Sequence, residues 1–272
     1  MPAGLRRGVI RLPDGARIDW LQVGWGPLPA VIVPGAGDGL WTVGQTTPHL
    51  LWRYRRRVAT HRLLILGRRE PIPPGFGVAD HADDYIRAVE RLRWQPSVWE
   101  CTSAGGPIGQ QVAQRRPASV RGLILASTMH RADETLRSVL RHWRRLVDAR
   151  AWAQLYWSIA ALNRRPAMVA RYHSLRPLLH LIPPPSRPQR FVRLLDGLTT
   201  LDQQQLLPRI ACPSLIIGGE EDRIISATLQ REMAALIPQS RLILYPGYGH
   251  AAPVEHPTYE AATRRFMEEV CC

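Results

Sequence analysis

Lysine is missing from all 272 residues, so the formal net charge of +14 rests on arginines scattered from Arg6 to Arg265. Charge spread in this way, with no zinc-ligand spacing and no RNA-binding aromatic motif beside it, describes a solvated surface and argues against a nucleic-acid partner. An anionic small-molecule substrate stays open. Long apolar runs are missing too: no stretch of about 18 uncharged apolar residues occurs, so no membrane span is expected. From Met1 to Arg11 there is charge but no apolar core, so neither a signal peptide nor export is expected, and a cytoplasmic protein is. Cysteine is sparse. Cys101 and Cys212 adjoin predicted strands and read as small buried apolar residues, while Cys271 and Cys272 read as a frayed tail. No disulfide framework follows. Among the histidines, His61, His81 and His173 read as surface or packing residues, and no pair suggests a metal. No cofactor is expected either: the glycines at 35, 37 and 39 miss the dinucleotide spacing Gly-x-Gly-x-x-Gly because position 40 is leucine.

What is present is a core-forming chain. A hydrophobic fraction of 45% over this length fits a single α/β domain with an insertion. Gly8–Leu12 and Arg17–Val23 flank Asp14-Gly15, a hairpin signal. Ala30–Val33, Leu63–Leu66, the run ending at Thr102, Leu123–Ala126 and Ser214–Ile217 are short continuous apolar segments, the pattern of strands covered on both faces. Arg241–Tyr245 adds one more. Helical spacing fills the gaps over Val78–Arg93, Pro107–Arg116, Ala227–Leu236 and Thr258–Glu269. Strand alternating with helix implies a mostly parallel sheet with flanking helices. From Thr128 to Leu207 the strand signal vanishes. Leu136, Val139, Leu140, Trp143, Leu146 and Val147 form one helical stripe, Trp152 to Ile159 a second, and a further helix follows Pro183-Pro184-Pro185 near Pro188–Leu198. The expected division is a core of residues 1–127 and 208–272 carrying a helical cap of residues 128–207.

Three loops at strand ends carry reactive residues. Ser103, in Cys101-Thr102-Ser103-Ala104-Gly105-Gly106, stands between a strand and a helix, where small neighbours allow a tight turn that exposes the hydroxyl. Asp222 follows the strand at 214–217, with Glu220 and Glu221 as neighbouring acids, and His250 follows the strand at 241–245. In an open parallel sheet these strand ends share one edge, where sites form. A serine hydroxyl is a weak nucleophile until a histidine takes its proton, and a carboxylate holds that imidazole in the useful tautomer. The loop Pro34–Gly39 is suited to expose backbone N–H groups to a ligand.

In these motifs and their order the chain resembles the α/β hydrolases of the capped, serine-nucleophile type over nearly its whole length. The resemblance implies Ser103 as nucleophile, Asp222 as acid, His250 as base, and the backbone N–H groups of Ala36 and Ala104 as the oxyanion hole. It implies an esterase: hydrolysis of a carboxylic ester or thioester through an acyl-enzyme. Carbon-carbon hydrolysis, peracid formation and N-terminal peptide cleavage occur on the same scaffold, and a slow hydrolase-like ligand receptor is the reading from another class. Two departures stand out: Cys101 replaces the first elbow glycine, and Pro34 stands where many relatives have histidine. The expected partner is a small molecule with an apolar part. The oligomeric state stays open, a homodimer included.

Overall fold

The computed structural model describes residues 4–94 and 96–271. An antiparallel ribbon, β1 (Arg6–Arg11) and β2 (Arg17–Val23), opens the chain, followed by β3 (Leu28–Val33), helix α1 (Thr47–Tyr54) and β4 (His61–Leu66). Next come α2 (Val78–Arg91), β5 (Ser97–Thr102), α3 (Gly106–Arg115) and β6 (Val120–Ala126). Four helices then run without a strand: α4 (Glu134–Asp148), α5 (Trp152–Asn163), α6 (Pro166–Tyr172) and α7 (Gln189–Thr199). The chain ends with β7 (Ser214–Gly219), α8 (Ala227–Leu236), β8 (Ser240–Tyr245), the single turn α9 (Ala252–Glu255) and α10 (Tyr259–Cys271).

The eight strands lie in the order β1-β2-β4-β3-β5-β6-β7-β8. Pairing from β4 onward is parallel, and only β1 with β2 and β2 with β4 run antiparallel. Successive strand residues point to opposite faces, and both faces are covered, which is why the strands read as unbroken apolar runs. On one face Val31, Leu64, Trp99, Leu123 and Ile216 pack with Tyr85 of α2, Val112 of α3 and Met233 of α8. On the other, Ile32, Ile65, Val98, Ile124 and Leu215 pack with Tyr54 of α1 and with Tyr259 and Phe266 of α10.

Two expectations are corrected. The first strand begins at Arg6, two residues early, because its register runs Arg6 opposite Gln22 to Arg11 opposite Arg17. Cys271 is no frayed residue: it closes α10, and its carbonyl accepts a hydrogen bond from Arg121 Nη1 at 3.3 Å. Cys272 lies outside the described residues. Helix α1 has no counterpart in the sequence reading. No helix among the described residues is long and apolar enough to cross a membrane.

Beneath the second face sits a buried charge cluster. Arg57 Nη1 lies 2.8 Å from Glu100 Oε2, and the Tyr259 hydroxyl donates to Glu100 Oε1 at 3.0 Å. Burial works to raise the Glu100 pKa, and the charge and hydrogen bond of Arg57, with Arg53 and the Tyr259 hydroxyl, together outweigh it, so the pKa lies below the usual carboxylate value. Removing one partner of such a pair strands the other charge away from water. Glu100→Ala is expected to destabilise the fold by about 3–5 kcal/mol in urea unfolding.

His61 lies against the same cluster, and its backbone N–H donates to the Arg57 carbonyl at 2.8 Å. Burial first, and the Arg57 charge second, lower its pKa from 6.5 to about 4. The unfolded chain therefore binds a proton between these values that the native chain refuses, and His61 withdraws stability as pH falls through that window. In His61→Gln the loss of stability between pH 6.5 and 4 is expected to be smaller than in the wild type, measured by urea midpoints at both ends.

Candidate active site

Strand β5 delivers Ser103 at the carboxyl edge of the sheet, where the backbone turns sharply into α3. Ser103 has φ of 52°, in the left-handed region that a residue with a side chain rarely occupies. The surroundings hold it there. The Thr128 hydroxyl donates to the Ser103 carbonyl at 2.6 Å, and a 3-10 turn, Ser103–Gly105, leads straight into α3. Glycine is required just behind the serine. A β-carbon on Gly105 would stand 2.5 Å from the Val33 carbonyl oxygen, and one on Gly106 would stand 2.0 Å from Thr128 Oγ1.

Cys101 stands two residues ahead of the serine, where this type of elbow usually has glycine, and the structure shows how it fits. Its side chain is fully buried, and a β-carbon on Gly109 of α3 would come within 2.4 Å of its sulfur. The volume added at 101 is thus absorbed by the missing side chain at 109.

Loops after β7 and β8 bring the other two residues. His250 Nε2 lies 3.0 Å from Ser103 Oγ, and His250 Nδ1 lies 2.7 Å from Asp222 Oδ2. A carboxylate can only accept here, so Nδ1 carries the proton and Nε2 presents its lone pair to the serine hydroxyl. Asp222 is itself fixed: its Oδ1 accepts the backbone N–H groups of Ile224 and Ile225 at 2.9 and 3.0 Å. The neighbouring acids lie elsewhere, Glu220 pairing with Arg231 at 2.6 Å and Glu221 being exposed. Arg223 turns from Asp222 to the carbonyls of Ala161 and Arg164. The His250 loop is tied down by the Ala251 N–H, which donates to the Asn163 carbonyl at 2.9 Å.

Ala36 opens the 3-10 turn Ala36–Gly39, and Ala104 is the second residue of the 3-10 turn Ser103–Gly105. The first N–H groups of such turns have no partner within the turn, and the backbone dipoles favour negative charge there. The two turns touch: a β-carbon on Gly35 would lie 3.2 Å from Ser103 Cβ. Ala36, Leu40, Trp41 and Ala104 share one apolar cluster with Leu140, Trp143, Tyr156 and Phe191, so helices α4, α5 and α7 pack directly over these loops. The Trp41 and Tyr156 rings stand 5.3 Å apart. Between α5, α6 and the turns that follow lies an apolar groove of about 380 Å³, lined by Trp157, Met168, Val169, Tyr172 and Leu179 among others. His61 and His81 are buried and His173 is exposed, and no group of three or more His, Cys, Asp or Glu among the described residues is placed to hold a metal.

Fold and loop arrangement define an α/β hydrolase. The family model described as serine aminopeptidase, S33, matches residues 74–257, and the chain belongs to that family. It is 28% identical over 271 residues to the polyketide synthase ThaQ of Burkholderia thailandensis, a match covering 96% of this chain and 13% of that protein. The chain thus spans only a small part of that relative. It is 31% identical to the pimeloyl-[acyl-carrier protein] methyl ester esterase of Chromobacterium violaceum, over 68% of this chain and 74% of that one. The solved structure of MGS-M2, an alpha/beta hydrolase enzyme from a Medee basin deep-sea metagenome library, superposes with a TM-score of 0.80 at 19% identity, covering 96% and 97% of the two chains. The chain is a hydrolase of this superfamily, of the esterase and hydrolase type.

The exchange of volume between positions 101 and 109 is directly testable. Gly109→Ala is expected to destabilise the protein by about 1–3 kcal/mol through overpacking. In a Cys101→Ala background the same change is expected to cost much less. A double-mutant cycle by urea unfolding checks this, and equal costs in the two backgrounds would refute it.

Proposed function

We propose that the chain hydrolyses carboxylic esters or thioesters through an acyl-enzyme on Ser103. The observation that carries the reading is the unbroken chain Ser103–His250–Asp222, with contacts of 3.0 and 2.7 Å, on a serine held at φ of 52°. Ser103 Oγ attacks the substrate carbonyl carbon as its proton passes to His250 Nε2, and the carbonyl oxygen becomes an oxyanion. The N–H groups of Ala36 and Ala104 receive that charge, each worth about 3 kcal/mol in the transition state. Collapse expels the alkoxide or thiolate, which takes the proton from His250. A water molecule, deprotonated by His250, then attacks the acyl carbon, and Ser103 recovers its proton as the acid leaves. Asp222 keeps the imidazole oriented and stabilises its charged form throughout. The ester specificity named for the Chromobacterium violaceum relative supports this chemistry.

In this reading residues 128–207 act as a cap. They roof the serine with apolar side chains, which excludes water and strengthens the electrostatics beneath. Leu179 lines the apolar groove and also packs against the cluster that holds Ala36 and Ala104, which supports the groove as the seat of an apolar acyl portion. Of the eight arginines between Asp148 and Asp196, Arg164, Arg165, Arg187, Arg190 and Arg193 pair with carboxylates, while Arg176 lines the groove. That position of Arg176 supports a substrate carrying negative charge beyond the ester. For such a substrate KM is expected to rise with ionic strength while that for a neutral ester does not, and equal salt response of the two would remove the charge reading.

The central test is hydrolysis of p-nitrophenyl esters, acetate through decanoate, by wild type and Ser103→Ala. Wild-type turnover with loss of about a thousandfold or more in the variant is expected, and the best chain length sizes the groove. Folded proteins that both fail to turn over any ester would overturn the reading and favour a receptor.

A further inference from the structure

We infer that Arg68 is a positioning residue that aims and polarises the oxyanion-binding N–H of Ala36. The inference rests on the serine-hydrolase reading and adds a part to its machinery.

The sheet order sets the geometry. β3 lies between β4 and β5, so the loop after β3 has Arg68, which follows β4, on one side and Ser103, which follows β5, on the other. From its side the guanidinium donates to the carbonyls of Pro34 and Gly35, both at 3.0 Å. In a planar trans peptide the C=O and the next N–H point in opposite directions. With its carbonyl turned to Arg68, the Gly35–Ala36 peptide directs the Ala36 N–H the other way, toward the β5 side where Ser103 stands. The Asp38 N–H also donates to the Gly35 oxygen, at 3.3 Å, and reinforces the same orientation.

Charge matters as well as direction. A cation bonded to the carbonyl end of a peptide draws electron density from the amide end, making its N–H a better donor; hydrogen bonds in series strengthen one another where water is excluded. Arg68 is fully buried at its side chain, so solvent does not screen the effect.

The guanidinium is held for this task. Asp38 Oδ2 accepts the Arg68 backbone N–H at 2.8 Å and lies 3.7 Å from Arg68 Nη1. Arg190, from α7, meets the same carboxylate oxygen at 3.1 Å, bonds the Asp38 carbonyl, and reaches the Arg68 carbonyl at 3.2 Å. One aspartate shared by two buried arginines leaves an uncompensated positive charge behind the loop, where an oxyanion develops on the far side.

The test compares wild type, Arg68→Met and Arg68→Lys by p-nitrophenyl butyrate kinetics and by inhibition with butylboronic acid, whose adduct with a serine places a tetrahedral anionic oxygen in the same hole. Arg68→Met is expected to lose about tenfold in kcat with KM within twofold, and its boronate Ki is expected to rise by the same factor. Arg68→Lys, a point charge able to serve one carbonyl, is expected to fall between, with about a threefold change in both. A merely structural arginine would lower the melting temperature without this paired change in kcat and Ki. A folded Arg68→Met with both quantities within twofold of wild type overturns the inference. Should that variant fail to fold, Arg68→Lys decides, and wild-type kcat and Ki in it overturn the inference equally. Labelling of the wild type by a fluorophosphonate at Ser103 separates the two levels: a wild type that is neither labelled nor active refutes the serine-hydrolase reading and this inference with it. A labelled, active wild type with indifferent Arg68 variants refutes this inference alone.

Discussion

Everything at the carboxyl edge of the sheet depends on the backbone of Ser103. A left-handed conformation at a residue with a side chain costs about 1–3 kcal/mol and persists only where the surroundings leave no alternative. Here they do so from three directions. The Thr128 hydroxyl takes the serine carbonyl, the Val33 and Pro34 carbonyls leave room only for glycine at 105 as the Thr128 side chain does at 106, and α3 begins at once. The hydroxyl is presented to the two loops that bring His250 and Asp222, which leave adjacent strands and are held in place by their own backbone hydrogen bonds.

The sheet also shows how the fold handles charge. Arg57 with Glu100 and Arg68 with Asp38 are ion pairs removed from water, an arrangement that gives little net stability and much directional constraint. Both are placed where a loop must be held against the sheet. The first joins the turn after α1 to β5 on the face covered by α10, and the second joins the ends of β3 and β4. Arg190 extends the second pair to α7, so the helical segment and the loop after β3 share one carboxylate.

Much of this was legible in the chain itself, for physical reasons that differ from place to place. Ser103, Asp222 and His250 stood out because each follows an apolar run, and parallel strands collect such positions at one edge; the structure brings the three within hydrogen-bond reach. The doubly covered strands were visible as unbroken runs of Leu, Ile and Val. Helix α1 was not, since Thr47–Tyr54 is short, opens on Thr47-Pro48 and buries only Thr47 and Tyr54. Nor did Arg68, Asp38 and Arg190 reveal themselves. Their contacts span 30, 122 and 152 residues and form only when the strand order is known, and among 36 basic residues these two buried arginines leave no mark in composition.

The pairing of Cys101 with Gly109 bears on how such an elbow changes over evolutionary time. A side chain at 101 and one at 109 contend for a single volume, so in a lineage with alanine at 109 a change to cysteine at 101 comes at a cost in stability until that alanine is lost. The less costly order places glycine at 109 first, and once cysteine arrives any side chain at 109 is penalised. What inheritance preserves at this corner is therefore a shared space, and the order in which two ordinary substitutions occur decides what each of them costs.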